Sequence, residues 1–237
     1  MKKSGYFLSK DAKLYYRKVG KGPPMVMLHG NRQSHRVFKE LARIFSKDYL
    51  VVLPDSRGHG RSQFGRRKLS IPLLAEDTRN LMGELGIEQA VFLGFSDGAN
   101  TALEFAANFP NQAKAVIAVS PNINPEGLKR GLAMLLKISL AIFHFLERFH
   151  LALWKEKQLT LLMTNVKIPT EKIEKITAPV LILTGKRDMI REEHSRLIAS
   201  LIPKGEVEVL GNNHHFSLFR KTKLYVELMT DFLNKNS

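Results

Sequence analysis

Three residue types, taken in chain order, could together cleave a carbonyl compound: a serine between glycines, a later aspartate and a later histidine. Gly94-Phe95-Ser96-Asp97-Gly98 forms a G-x-S-x-G arrangement, in which a serine is held on a strained turn between a strand and a helix. A serine hydroxyl is a weak nucleophile until a base takes its proton, and that base needs an acceptor on its second ring nitrogen. Asp188 follows the apolar run Val180 to Thr184, and the pair His214 and His215 follows the run Val207 to Leu210. Spacing alone does not choose between the two histidines. A developing oxyanion also needs two backbone N–H donors. The amide of Asp97, directly after the serine, is one candidate, and that of Asn31, in the loop after Met25 to Leu28, is the other.

These residues can meet only if the elements before them share a sheet. Met25–Leu28, Tyr49–Leu53, Ala90–Leu93, Ala115–Val119 and Val180–Thr184 are short, continuous apolar runs, the mark of parallel strands covered on both faces. Between them lie segments of helical spacing, including Val37 to Phe45 and a helix from Ile71 to Leu85 with Ser70 as its cap. Phe7–Leu8 and Leu14–Val19 read as an antiparallel edge pair about Lys10 and Asp11. This alternation predicts an α/β fold with a mostly parallel sheet and helices on both faces. Strand ends on one rim would then gather Ser96, Asp188 and a histidine.

The alternation breaks after Ser120. From 122 to 169 the pattern is helical, which predicts a core domain of residues 1–121 and 170–237 with a helical cap inserted at 122–169. The cap contains the apolar run Gly131 to Leu146, shorter than the roughly 20 residues a membrane-spanning helix needs, and is read as a buried or half-buried helix. With a second segment from Leu151 to Met163, it is expected to line an apolar acyl or aryl pocket through Leu132, Leu135, Leu136, Ile142, Phe143, Phe145, Leu146 and Trp154.

The chain of 237 residues has no cysteine, which excludes disulfides, thiolate metal sites and a cysteine nucleophile. The first residues carry lysines but no apolar core of a signal peptide, so a cytoplasmic protein is expected. Thirty-seven Lys and Arg against 22 Asp and Glu leave a charge of +15, but the basic residues are scattered and no nucleic-acid motif accompanies them. A solvated basic surface is the reading. His29 and His59 are expected to brace loops. His35, His144, His150 and His194 show no metal-ligand spacing, and Gly94 to Gly98 lacks the third glycine of a dinucleotide fingerprint. No cofactor and no metal are expected, and the partner is a small-molecule substrate, with the protein a monomer or homodimer.

Together the motifs resemble the α/β-hydrolase superfamily across essentially the whole chain. His29-Gly30-Asn31 is similar to its oxyanion loop, Arg57 to Ser62 (R-G-H-G-R-S) to its loop after the next strand, and G-F-S-D-G to its nucleophile elbow. Leu181 to Asp188 is similar to its acid-bearing strand and loop, and N-H-H-F-S to its histidine loop. The resemblance implies a small capped serine esterase with a triad of Ser96, Asp188 and His215. His215 is preferred over His214 because the distance from it to Asp231-Phe232-Leu233 fits without an extra residue. The S-D-G elbow is similar to that of valacyclovir-hydrolase-like esterases. Gly211-Asn212 stands where the family usually has Pro-Gly. The rival readings are C–C bond or amide hydrolysis with the same triad, and a ligand-binding signalling protein on the same fold.

Overall fold

A computed structural model describes residues 3–147 and 154–236, with the side chains of 147 and 154 outside the description. The strands are β1 (Lys3–Ser9), β2 (Ala12–Val19), β3 (Pro24–Leu28), β4 (Leu50–Pro54), β5 (Ala90–Phe95), β6 (Ala113–Val119), β7 (Val180–Gly185) and β8 (Gly205–Leu210). They form one sheet in the order β1-β2-β4-β3-β5-β6-β7-β8. β1 and β2 pair antiparallel, as β2 and β4 do, and all other neighbours are parallel. The helices are α1 (Lys39–Phe45), α2 (Ile71–Glu84), α3 (Asp97–Asn108), α4 (Arg130–Glu147), α5 (Trp154–Thr164), α6 (Thr170–Ile173), α7 (Glu192–Leu201), α8 (Ser217–Arg220) and α9 (Thr222–Lys235).

Side chains of successive strand residues leave on opposite faces, and two cores result. Val26, Leu28, Val52, Phe92 and Ile182 join Ala99, Ala102 and Leu103 of α3 in one. Met25, Met27, Val51, Leu93 and Leu183 join Leu41 of α1 and Met229 and Phe232 of α9 in the other. The central strands are therefore apolar at nearly every position, Lys114 of β6 and Thr184 of β7 excepted, which is why they read as apolar runs. The sheet is the mostly parallel one expected, and a helical region containing α4 and α5 is inserted between β6 and β7.

The inserted region departs from expectation in one respect. α4 is half-buried, one of the two expected outcomes, but Leu135, Ile142 and Phe145 are exposed, so these three do not line an internal pocket. Leu132, Leu136, Phe143 and Leu146 are half-buried on the other side. The side chain of Trp154, and residues 151–153 of the second expected segment, lie outside the described residues. The sequence could not show which face was covered, because α4 is apolar at nearly every position.

Candidate active site

The chain runs β3 to β4 in one direction across the sheet and returns to place β5 on the other side of β3. Loops leaving the carboxyl ends of β3 and β5 diverge there, at the kind of reversal where α/β sheets bind ligands. Ser96 stands at this point, immediately after β5 and before the first residue of α3. Its backbone has φ 54° and ψ −121°, a conformation non-glycine residues adopt at a cost of about 1–3 kcal/mol. The flanking glycines make the bend possible through space rather than flexibility. A Cβ on Gly98 would overlap the Leu28 carbonyl, and one on Gly94 would approach the Cα of Ala99 to 2.5 Å. The Ser96 amide donates to Val119 O at 2.9 Å, anchoring the turn to β6.

The loop after β3 lies against Ser96, since a Cβ on Gly30 would be 3.1 Å from the Ser96 Cβ. His29 secures this loop. Its Nε2 accepts from the Ser56 amide at 2.9 Å, so Nδ1 carries the proton and donates to Gly30 O at 2.8 Å. Burial, with the nearby His59, pushes its pKa down to about 3, and the ring stays neutral. The Gly30 carbonyl also accepts from the Gln33 amide at 3.3 Å. In a trans peptide the N–H of Asn31 points away from that carbonyl, so its direction is held by the same bonds. The other candidate donor, the Asp97 amide, opens α3, where the first N–H groups have no partner within the helix. His59 braces in the same way, through Nδ1 to Arg57 O at 2.9 Å.

Asp188 and His215 come together on this rim. Nδ1 of His215 lies 2.8 Å from Asp188 Oδ1. A carboxylate only accepts, so Nδ1 donates and Nε2 is left as the acceptor. His215 is buried with its ring 4.8 Å from that of Phe95, the residue before Ser96, whereas His214 is exposed. Asp188 is 1% exposed. Burial pushes its pKa up, but the hydrogen bond and charge of His215, with Ser120 Oγ at 2.6 Å and the Ile190 amide at 3.1 Å, outweigh burial and hold it below the ordinary carboxylate value. Arg187 and Arg191 are exposed and are not its partners.

Two features had no signal in the sequence pattern. Ser120, at the end of β6, braces Asp188 from a left-handed backbone with φ 55°. The Asn31 side chain donates from Nδ2 both to Asp97 Oδ2 and to Leu159 O of α5, each at 2.8 Å, and so ties the inserted region to the turn. Arg32 adds bonds to Glu156 and, at 3.2 Å, to Thr160 Oγ1. Asp97 is deeply buried. Burial lifts its pKa to about 6 against the opposing effects of Asn31, His215 and Asn100. Among the described residues, no group of three or more His, Asp or Glu side chains could hold one metal ion.

A family profile described as "alpha/beta hydrolase fold" matches residues 23–140. A putative esterase/lipase of Haemophilus influenzae is 24% identical over 242 residues, covering 90% of this chain and 84% of its own. An uncharacterized protein of Mycobacterium tuberculosis is 30% identical over 105 residues, and that stretch spans 31% of its length. Among solved structures, a meta-cleavage product hydrolase of Pseudomonas fluorescens IP01 superposes with a TM-score of 0.82 at 18% identity, covering 98% of each chain. The strand order and the inserted helices give the chain the α/β-hydrolase fold, to which the profile matched over residues 23–140 also belongs.

Proposed function

We propose that this protein hydrolyses a small carboxylic ester through an acyl-enzyme on Ser96. The observation that carries the reading is the buried 2.8 Å bond between His215 Nδ1 and Asp188 beside the turn that bears Ser96. Nε2 of His215 takes the hydroxyl proton as Ser96 Oγ bonds to the carbonyl carbon. The negative charge moves to the carbonyl oxygen, which the amides of Asn31 and Asp97 hold. Each such donor is typically worth about 3 kcal/mol in the transition state. The carbonyl re-forms, the C–O bond to the alcohol breaks, and the imidazolium returns its proton to the leaving oxygen. Water then attacks the acyl-enzyme with His215 again as base, releasing the acid and restoring Ser96. Asp188 remains ionised and stabilises the imidazolium.

The half-buried inward face of α4 supports an apolar acyl or aryl group, and the 122–169 insertion is the cap over it. The Ser96-Asp97-Gly98 elbow supports a small capped esterase. Multiple turnover of p-nitrophenyl esters, lost in Ser96→Ala, is the expected result. Hydrolysis that persists undiminished in Ser96→Ala would end this reading.

A further inference from the structure

The outward face of α4 calls for its own explanation. Met134, Leu135, Ile138 and Ile142 are 62%, 61%, 49% and 50% exposed, and they follow one another at helical spacing. None of the described α4 side chains is fully buried. A helix apolar on all sides is ordinarily covered on all sides, and a contiguous apolar row on a surface marks a place of contact.

Charge decides what makes that contact. Lys129, Arg130 and Lys137 are exposed, and no acidic residue occurs between Lys129 and Leu146. At the base of the helix the Lys129 amide donates to Met189 O at 2.9 Å, and its Nζ to Lys186 O at 3.4 Å. These bonds bring α4 to a loop bearing the exposed Lys186, Arg187 and Arg191; Glu126 and Glu193 are the exposed acids nearby. A second copy of the chain would set +15 against +15, which opposes self-association through this face. An anionic bilayer satisfies both properties of the helix, since its acyl boundary accepts the aliphatic row and its headgroups attract the basic residues.

We propose that α4 docks the protein on an anionic lipid surface, lying in the plane of the interface with Met134, Leu135, Ile138 and Ile142 toward the acyl chains. No described helix is long and apolar enough to cross the membrane, so this is surface association. The proposal is read by binding and stands whether or not Ser96 acts as a nucleophile.

Flotation of the full chain with vesicles tests it, using phosphatidylcholine alone and phosphatidylcholine with about a third phosphatidylglycerol. Retention on the anionic vesicles, weakened by added salt and much lower on phosphatidylcholine, is expected. The Leu135→Glu/Ile138→Glu double variant should lose roughly tenfold or more in vesicle affinity, with an unchanged melting curve. Lys137→Glu, which leaves the aliphatic row intact, should weaken binding by a smaller factor. Three results would overturn the proposal: no retention on anionic vesicles, retention that both variants leave unaltered, or a concentration-dependent dimer that the double variant dissociates.

Discussion

Two aspartate–histidine pairs of nearly the same geometry sit at different strand ends in this molecule. Asp188 meets His215 beyond β7, and Asp55 meets His35 beyond β4, both at 2.8 Å. Both carboxylates are 1% exposed, and the histidines are 6% and 7% exposed. Their surroundings separate them. Asp55 also accepts the His35 amide at 2.7 Å and the Arg61 amide at 2.9 Å, so it clasps three chain segments. The His35 ring lies against Tyr15, with centroids 5.3 Å apart. The His215 ring instead lies against Phe95, beside Ser96. On the proposed reading, one aspartate–histidine bond orients a base and the other closes loops.

Substitution can break this contrast. The largest effect is expected at the β7 pair: Asp188→Asn should lower kcat/KM by roughly 10³–10⁴-fold by favouring the wrong imidazole tautomer, with a near-normal melting temperature. His215→Ala should be at least as damaging in the same ester assay. The β4 pair should show the reverse. Asp55→Asn should cost about 1–3 kcal/mol in denaturant unfolding, since backbone donors lose a charged acceptor, while kcat/KM changes only a few-fold. Equal effects of the two aspartate substitutions on both measurements would erase the distinction.

Asp97 sharpens the contrast, as a buried carboxylate with amide donors and no histidine bonded to it. Its folded pKa, about 6, lies above the roughly 3.9 of an unfolded aspartate. Between these values the folded state binds more protons, so this group makes stability fall as pH rises from about 4 to 6. Asp188 has the opposite sign: its depressed folded pKa contributes stability present above the unfolded pKa and lost as pH falls through the folded value. Asp97→Asn should therefore raise the melting temperature relative to the parent at pH near 8 and have little effect near pH 4. A gain that is the same at both pH values would contradict the assignment.

The smallest effect is expected from Ser120→Ala, which removes one of the bonds to Asp188. It should lower kcat/KM roughly tenfold, the cost of about one buried hydrogen bond to a charge. A kcat/KM unchanged from that of the parent would show that Ser120 does not brace Asp188 for its role.

How far these features could be read in advance follows from their range in sequence. The central strands were legible because burial on both faces makes them nearly continuous apolar runs, Asp188 because it follows one of them, and the pair His214 and His215 because it follows β8, with the family resemblance rather than spacing preferring His215. Ser70 capping α2 was equally local, with its side chain accepting from the Leu73 amide. Ser120 was not legible: its partner is 68 positions away, and nothing around a serine after a strand marks a bond to a carboxylate. The bridge from Asn31 to Leu159 spans 128 positions and uses a backbone acceptor, which any residue supplies. The Asp55–His35 clasp is hidden for the same reason. α4 was legible as a helix but not for its exposure, because periodicity locates a buried face only when the opposite face is polar.

The central claim is that Ser96, and no other residue, is the nucleophile that the Asp188–His215 pair activates. A fluorophosphonate probe followed by peptide mapping tests it most directly. The account predicts a stoichiometric adduct on Ser96 in the parent and in Asp55→Asn, and labelling slowed by orders of magnitude in Asp188→Asn. An adduct on another residue, or none on Ser96 in the folded parent, would contradict it.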